Sequence, residues 1–202
     1  MKITWLGHAC FALSAGDYRI IVDPYEENYV PGCVLGEQVA DAVYCSHFHS
    51  DHGNKDGVSL RKGRKDPFKV KEIRSFHDDK GGQLRGENII RIFEAEGVKV
   101  AHFGDIGCGL CEEEKAMLSG LDAALVPIGG TYTLDPAEAN ALMQELKPRV
   151  VIPMHYKSEK FGFDVLKTVE EFAELRDDVI WAQSDSVDIT ADGVKGCVVL
   201  KY

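Results

Sequence analysis

The chain contains no run of about 18 uninterrupted apolar residues, which excludes a membrane-spanning helix. Positive charge is scarce: 23 Lys and Arg stand against 33 Asp and Glu, a net charge of −10. That balance disfavours a broad electrostatic grip on nucleic acid or on an anionic membrane. A secretory leader is not expected either, because Gly7, His8 and Asp17 interrupt any apolar stretch after Lys2 and no convincing small-x-small cleavage site follows. Met1 to Leu6 therefore reads as a strand, and the cytoplasm is the expected location. No repeat, low-complexity tract or linker divides the 202 residues, so residues 1–202 read as one domain with a sizeable core.

Other absences narrow the chemistry. Cys108-Gly109-Leu110-Cys111 is a lone Cys-x-x-Cys, and without a second pair or a thioredoxin-like context it is weak evidence for zinc or redox work. Gly107-x-Gly109 lacks the third glycine of a dinucleotide fingerprint, position 112 being Glu. The six cysteines are even in number, yet a chain of this size does not need disulfides, and reduced thiols are expected.

What is present is strand-rich. Short runs of Val, Ile, Phe and Tyr bounded by Gly or Asp predict strands at 2–6, 10–13, 18–22, 42–45, 68–76, 88–93 and 98–103. Further strands are expected at 123–127, 150–153, 179–182, 187–190 and 197–200. Asp135-Pro136-Ala137-Glu138 combines an N-cap, a proline at the first helical position and a capping-box glutamate, with Ala139, Leu142, Met143 and Leu146 on one face behind it. A second helix is expected from about Asp164 to Arg176, burying Val165, Val169, Phe172 and Ala173. A short third one should follow Cys111, with three acids in its first turn. Some twelve strands with three helices suggest two stacked sheets with helices packed outside.

One segment reverses the local charge. Arg61 to Arg74 carries seven basic residues against Asp66 and Glu72. It reads as a solvated loop running into a strand with an exposed lysine face, or else as a rim attracting an anionic substrate toward His77.

The strongest signal is His47-Phe48-His49-Ser50-Asp51-His52, four potential metal ligands in six residues directly behind a strand. Imidazole with carboxylate suits Zn²⁺, Fe or Mn²⁺, and the alternating spacing lets one loop address two neighbouring ions. His77, Asp105 and His155 each lie just past an expected strand end, where a packed scaffold presents polar chemistry. Each alone would more often be a surface or satisfied core residue; the shared position is what raises all three. Asp23, at another strand end, could accept a ligand histidine's second N–H or be a turn carboxylate before Pro24. His8 sits in a strand-to-strand turn and could line the pocket or serve as a hydrogen-bonder. His102 should face away from Asp105 by strand alternation and be structural.

These residues resemble the metallo-β-lactamase superfamily of metal-dependent hydrolases. The likeness runs through Trp5-Leu6-Gly7-His8-Ala9, Ile21-Val22-Asp23-Pro24, the histidine loop, His77, His102-Phe103-Gly104-Asp105, Pro127-Ile128-Gly129-Gly130 and Ile152-Pro153-Met154-His155-Tyr156. Within the superfamily the chain looks closest to the branch that includes L-ascorbate phosphate lactonase. The resemblance implies an α/β four-layer αββα sandwich, with His47, His49 and His77 on one divalent ion and Asp51, His52 and His155 on a second. Asp105 would bridge the two. Zinc is the first choice of metal, with Mn or Fe as alternatives. His at position 49, where the diiron flavoprotein relatives place Glu, disfavours oxygen or nitric oxide reduction. Three glycines and many charges between Gly53 and Asp66 leave the helix usual near there short or absent.

The expected reaction is hydrolysis of a small anionic ester, lactone or phosphoester by a metal-bound hydroxide, with Asp51 either holding or accepting the water proton or serving purely as a structural ligand. Thr131 in the Gly129 to Thr133 loop, together with Tyr156 and Lys157, are the expected substrate contacts, although the glycines could simply permit the turn and Tyr156 and Lys157 could simply be exposed at the surface. Two other readings stand beside this one: a metal-dependent nuclease or nucleic-acid-binding module using Arg61 to Arg74, and a non-catalytic metal or ligand sensor. No membrane partner is expected, and a homo-oligomer is left open.

Overall fold

The first strands alternate cleanly between two environments. In a computed structural model describing residues 1–202, β1 (Lys2–Trp5), β2 (Phe11–Ala15) and β3 (Tyr18–Val22) form an antiparallel meander. Phe11, Leu13, Tyr18, Ile20 and Val22 point into the main core, whereas Ala12 and Ile21 point to a smaller cluster with Tyr25, Val30 and Leu35. The period of two thus buries both faces of this sheet. Its five strands run in the order β13 (Ser186–Asp188), β1, β2, β3, β5 (Ala42–Tyr44), with β5 parallel to β3.

The second sheet has seven strands. β7 (Lys69–Phe76), β8 (Glu87–Ala95) and β9 (Val98–His102) are antiparallel, and β9, β10 (Ala123–Pro127), β11 (Val150–Met154), β14 (Gly196–Val199) and β12 (Val179–Trp181) continue in parallel. Every residue of β10 and β11 is buried, as expected of parallel strands covered on both faces. Helices α1 (Glu112–Met117), α2 (Pro136–Leu146) and α3 (Val169–Ala173) make the crossovers. Ile3, Phe11 and Ile20 of the first sheet join Ile90, Ile92, Val100, Leu125 and Ile152 of the second, and Met143 and Phe172 of the helices, in one core of 45 residues.

All twelve expected strand positions carry strands, with ends shifted by up to two residues. Two more, β4 (Gln38–Ala40) and β6 (Val58–Leu60), pair with each other in parallel; three residues are too few to show a period in sequence. Tyr25, Val30, Leu35, Ala40 and Val58, from the loops and this pair on either side of β5, cover the outer face of the first sheet, and Lys55–Gly57 form a single 3₁₀ turn in place of a helix.

The helix ends follow their caps. Asp135 accepts from the Glu138 N–H at 2.8 Å while the Glu138 carboxylate accepts from the Asp135 N–H at 2.9 Å. The second expected helix is corrected: it begins only after Thr168. Residues ahead of Thr168 spend their backbone groups elsewhere, Lys167 N–H on the Gly129 carbonyl at 2.8 Å and Lys167 carbonyl on Lys157 N–H at 3.0 Å. Val165, expected to be buried, is 52% exposed.

The basic segment is a solvated edge. Arg61 and Arg64 pair with Asp41, Lys71 pairs with Glu94, and β7 ends the seven-stranded sheet. No helix of the chain is long and apolar enough to cross a membrane.

Candidate metal centre

Six strand ends meet at one edge of the sandwich. From the first sheet come His8 in the β1–β2 turn, Asp23 behind β3 and the loop from Ser46 to His52 behind β5. From the second come His77 behind β7, Asp105 behind β9 and His155 behind β11. Of seven non-glycine residues in the left-handed backbone region, three are His8, Asp23 and His155. Such strain persists where the surrounding packing over-determines it, and it concentrates at functional sites.

The packing leaves little choice. A β-carbon at Gly104, where φ is +56°, would lie 2.2 Å from the Asn88 side-chain oxygen and 2.5 Å from the Ser46 Cβ. One at Gly129 would lie 2.1 Å from the His155 carbonyl oxygen. Glycine is what lets β9 and β10 end this close to the loops carrying the histidines.

Asp105 sits at the middle. Its Oδ2 is 3.1 Å from Nε2 of each of His52, His77 and His155. His47, His49 and His77 form one group of converging donor atoms, and His8, Asp51, His52 and His155 form another. Asp51 Oδ2 lies 3.6 Å from His52 Nε2 and 3.3 Å from His8 Nε2. All seven residues expected as ligands are brought together, and His8 joins them.

The donors fit a cation. His47 Nε2, His52 Nε2, His155 Nε2 and Asp105 Oδ1 are buried without a hydrogen-bond partner, a costly state for polar atoms unless something else satisfies them. Nitrogen and carboxylate oxygen in this mixture suit a divalent ion such as Zn²⁺. Burial, reinforced by the neighbouring His52, pushes the His47 imidazole down to about 3, so it is neutral at pH 7 and its lone pair is free. Burial and His155 similarly push His8 down to about 4. Burial opposes charge on His52 as well, but the Asp105 and Asp51 carboxylates outweigh it and raise that group.

A second layer of hydrogen bonds aims the rings. Asp23 accepts from His52 Nδ1 at 2.8 Å, from the Ser46 N–H at 2.6 Å and from the Ser46 hydroxyl at 2.5 Å. His47 Nδ1 lies 2.9 Å from the same hydroxyl. One carboxylate therefore orients His52 directly and His47 through Ser46, and in both it leaves Nε2 facing the centre. His77 Nδ1 donates to the Tyr132 carbonyl at 2.9 Å, with the same result. Asn88 accepts the Asp105 N–H at 3.0 Å and donates to the Phe103 carbonyl at 2.9 Å, which holds the turn before Asp105. Ser46 and Asn88 are unremarkable in sequence, and only the fold gives them this role. Asp23→Asn should lower metal affinity about 10–100-fold with the fold intact, measured by competition with a chromogenic chelator; unchanged affinity would leave Asp23 a merely structural carboxylate.

Burial opposes ionisation of Asp23, yet His102, His52 and His47 together hold its carboxyl down to about 2. His102 itself is structural, its Nε2 2.8 Å from the Ala9 carbonyl.

A cavity of about 350 Å³ opens onto this centre, lined by His49, Asp51, His77 and Asp105 on one side and by Tyr29, Arg85, Tyr132 and Phe163 on the other. The expected substrate contacts Thr131, Tyr156 and Lys157 are not among the residues lining this cavity. Tyr156 is buried against Trp5 and Phe161. Lys157 spends its ammonium on the Asp164 carbonyl, and the Thr131 hydroxyl donates to the Val165 carbonyl at 2.9 Å. The loop's contribution to the cavity is Tyr132 instead. Arg85 is not marked in the sequence, because its glycine-rich surroundings carry no motif. Cys108 and Cys111 do not line the cavity, and all six cysteines are free.

Residues 2–155 match the family model described as a beta-lactamase superfamily domain. A metal-dependent hydrolase of Korarchaeum cryptofilum is 31% identical over 196 residues, covering 83% of this chain and 86% of the relative. One from Thermococcus onnurineus is 30% identical over 192 residues, covering 78% and 85%. The crystal structure of a Zn-dependent hydrolase from Thermotoga maritima superimposes with a TM-score of 0.75 at 31% identity, covering 98% of this chain and 97% of that one.

Proposed function

Because the chain belongs to the metallo-β-lactamase superfamily of metal-dependent hydrolases, we propose that its two donor groups hold two divalent ions and hydrolyse a small anionic ester, lactone or phosphoester. The observation that carries this reading is the placement of the Asp105 carboxylate 3.1 Å from three imidazoles, between one all-histidine group and one mixed group. His47, His49 and His77 would hold one ion, Asp51, His52 and His155 the other, and Asp105 both. Zinc is the expected metal, as in the description of the Thermotoga relative. Bound there, divalent ions act as Lewis acids and lower the pKa of a coordinated water to about 7.

The protein supplies the rest. Asp51 lies at the cavity wall, partly exposed, and His8 Nε2 at 3.3 Å steadies its Oδ2. Burial opposes its charge, but His52 and His8 hold the carboxyl well below the usual range, so it stays ionised and can ligate a cation or accept a hydrogen bond from a water. Buried Asp23 and Ser46 keep His47 and His52 in the tautomer that presents Nε2. Tyr29, Tyr132 and Phe163 give the cavity an aromatic wall against which the apolar part of a substrate would lie.

The test is to strip the protein with a chelator and restore Zn²⁺ or Mn²⁺ against a panel of lactones and phosphodiesters. Turnover should vanish on stripping and return on restoration. Undiminished hydrolysis by the stripped protein would sink the proposal.

A further inference from the structure

Of the eight arginines, six are tied to a carboxylate or a carbonyl, Arg74 lies exposed on the open edge of β7, and Arg85 alone points unpaired into the cavity. We infer that Arg85 binds an oxyanion group of the substrate, a carboxylate or a phosphate, while the apolar body lies against Tyr29, Tyr132 and Phe163. The inference rests on the hydrolysis proposed above and names what that reaction acts on.

The loop carrying Arg85 is built to hold it still. Asp78, buried next to His77, accepts four backbone N–H groups: Lys80 at 2.8 Å and Gly82 at 3.0 Å on one oxygen, Leu84 at 3.0 Å and Arg85 at 2.8 Å on the other. The next carbonyl, Gly86, accepts the His77 N–H at 3.1 Å. A carboxylate spent wholly on backbone fixes the loop and offers nothing to the guanidinium. That group instead lies 5.4 Å from the centre of the Tyr132 ring, and the Tyr132 carbonyl holds His77. Arg85 is thereby tied on both sides to a metal-donor histidine.

This arrangement suits recognition. A planar guanidinium on an aromatic face keeps its outer N–H edge free for a two-point bond to an oxyanion, and little freedom is lost on binding because backbone and ring are already placed. The opposite wall is apolar: Tyr29 and Phe163 meet edge to face at 6.0 Å, and Phe163 packs on His8 at 5.6 Å. A ligand spanning the cavity would meet the donor centre at one end, rings along its length and a single fixed cation at the other.

Calorimetric titration of the metal-loaded protein with benzoate, phenylphosphonate and neutral benzamide reads this directly. The wild type should bind at least one oxyanion about tenfold or more tighter than benzamide. Arg85→Met should weaken that oxyanion about 10–100-fold and change benzamide less than about twofold, with metal content unaltered. Arg85→Lys should recover part of the loss, since it keeps the charge without the fork. The oxyanion with the greater loss identifies the group recognised. Equal binding of both oxyanions by wild type and Arg85→Met, or no preference for either over benzamide, would overturn the inference. Turnover is scored separately: Arg85-dependent binding in a protein that hydrolyses nothing would leave the anion site standing and remove the proposed reaction.

Discussion

Asp105→Asn should reduce metal-dependent turnover by at least about 10²–10³-fold and leave the purified protein with less bound metal, measured by elemental analysis alongside activity. The fold reduction is that expected for loss of one charge-stabilising group at a reacting centre. The substitution is nearly isosteric, and the backbone N–H of residue 105 can still donate to Asn88, so the turn should survive. What disappears is the negative oxygen facing three imidazoles. Burial works against ionisation of Asp105, but His155 and His52 hold its carboxyl well below the usual range, so the native group is charged at every working pH. An asparagine amide offers no such charge. Full metal content with native activity in this variant would show that the centre does not depend on a shared carboxylate.

Phe103→Ala should cost about 3–5 kcal/mol of stability, the range for truncating a buried Phe, and lower Tm by roughly 6–20 °C for a chain of this size. Phe103 is fully buried in the main core. It lies between β9 and Asp105, with its N–H on the Leu125 carbonyl and its own carbonyl on Asn88. Deleting the ring leaves a void under the turn that presents Asp105, and the surrounding strands can close it only in part. The variant should nevertheless retain its metal donors at low temperature, which separates it from Asp105→Asn. A Tm within about 2 °C of wild type would mean that the core here collapses without penalty.

Much of this molecule is legible in its order of residues, for identifiable reasons. Strands such as Tyr18–Val22 and Ala123–Pro127 are visible because short, mainly apolar runs end abruptly at Gly, Asp or Pro. The donor residues are visible because histidine and aspartate at strand ends are chemically conspicuous. The outer contacts are not. Tyr156 and Lys157 stand beside His155 in sequence, but the left-handed backbone at His155 turns the chain so that Tyr156 enters the core. Tyr29, Arg85 and Phe163 reach the cavity from three loops whose meeting depends on the packing of both sheets. The helix expected from Asp164 failed similarly, because the Gly129 carbonyl competes for the Lys167 N–H. Local propensity has no knowledge of such a partner.

The meeting of six strand ends also has a mechanical side. His8, Asp23 and residues 46–52 belong to one sheet, His77, Asp105 and His155 to the other, and neither sheet alone carries either full donor set. A cation held by both would act as a rivet through the seam of the sandwich. Its strength would follow supply: at a free metal concentration a hundred times Kd, the assembled sandwich gains about 2.7 kcal/mol over any state in which the sheets have parted. Starved of metal, the protein would lose more than its chemistry, for the seam would slacken at the edge onto which the cavity opens.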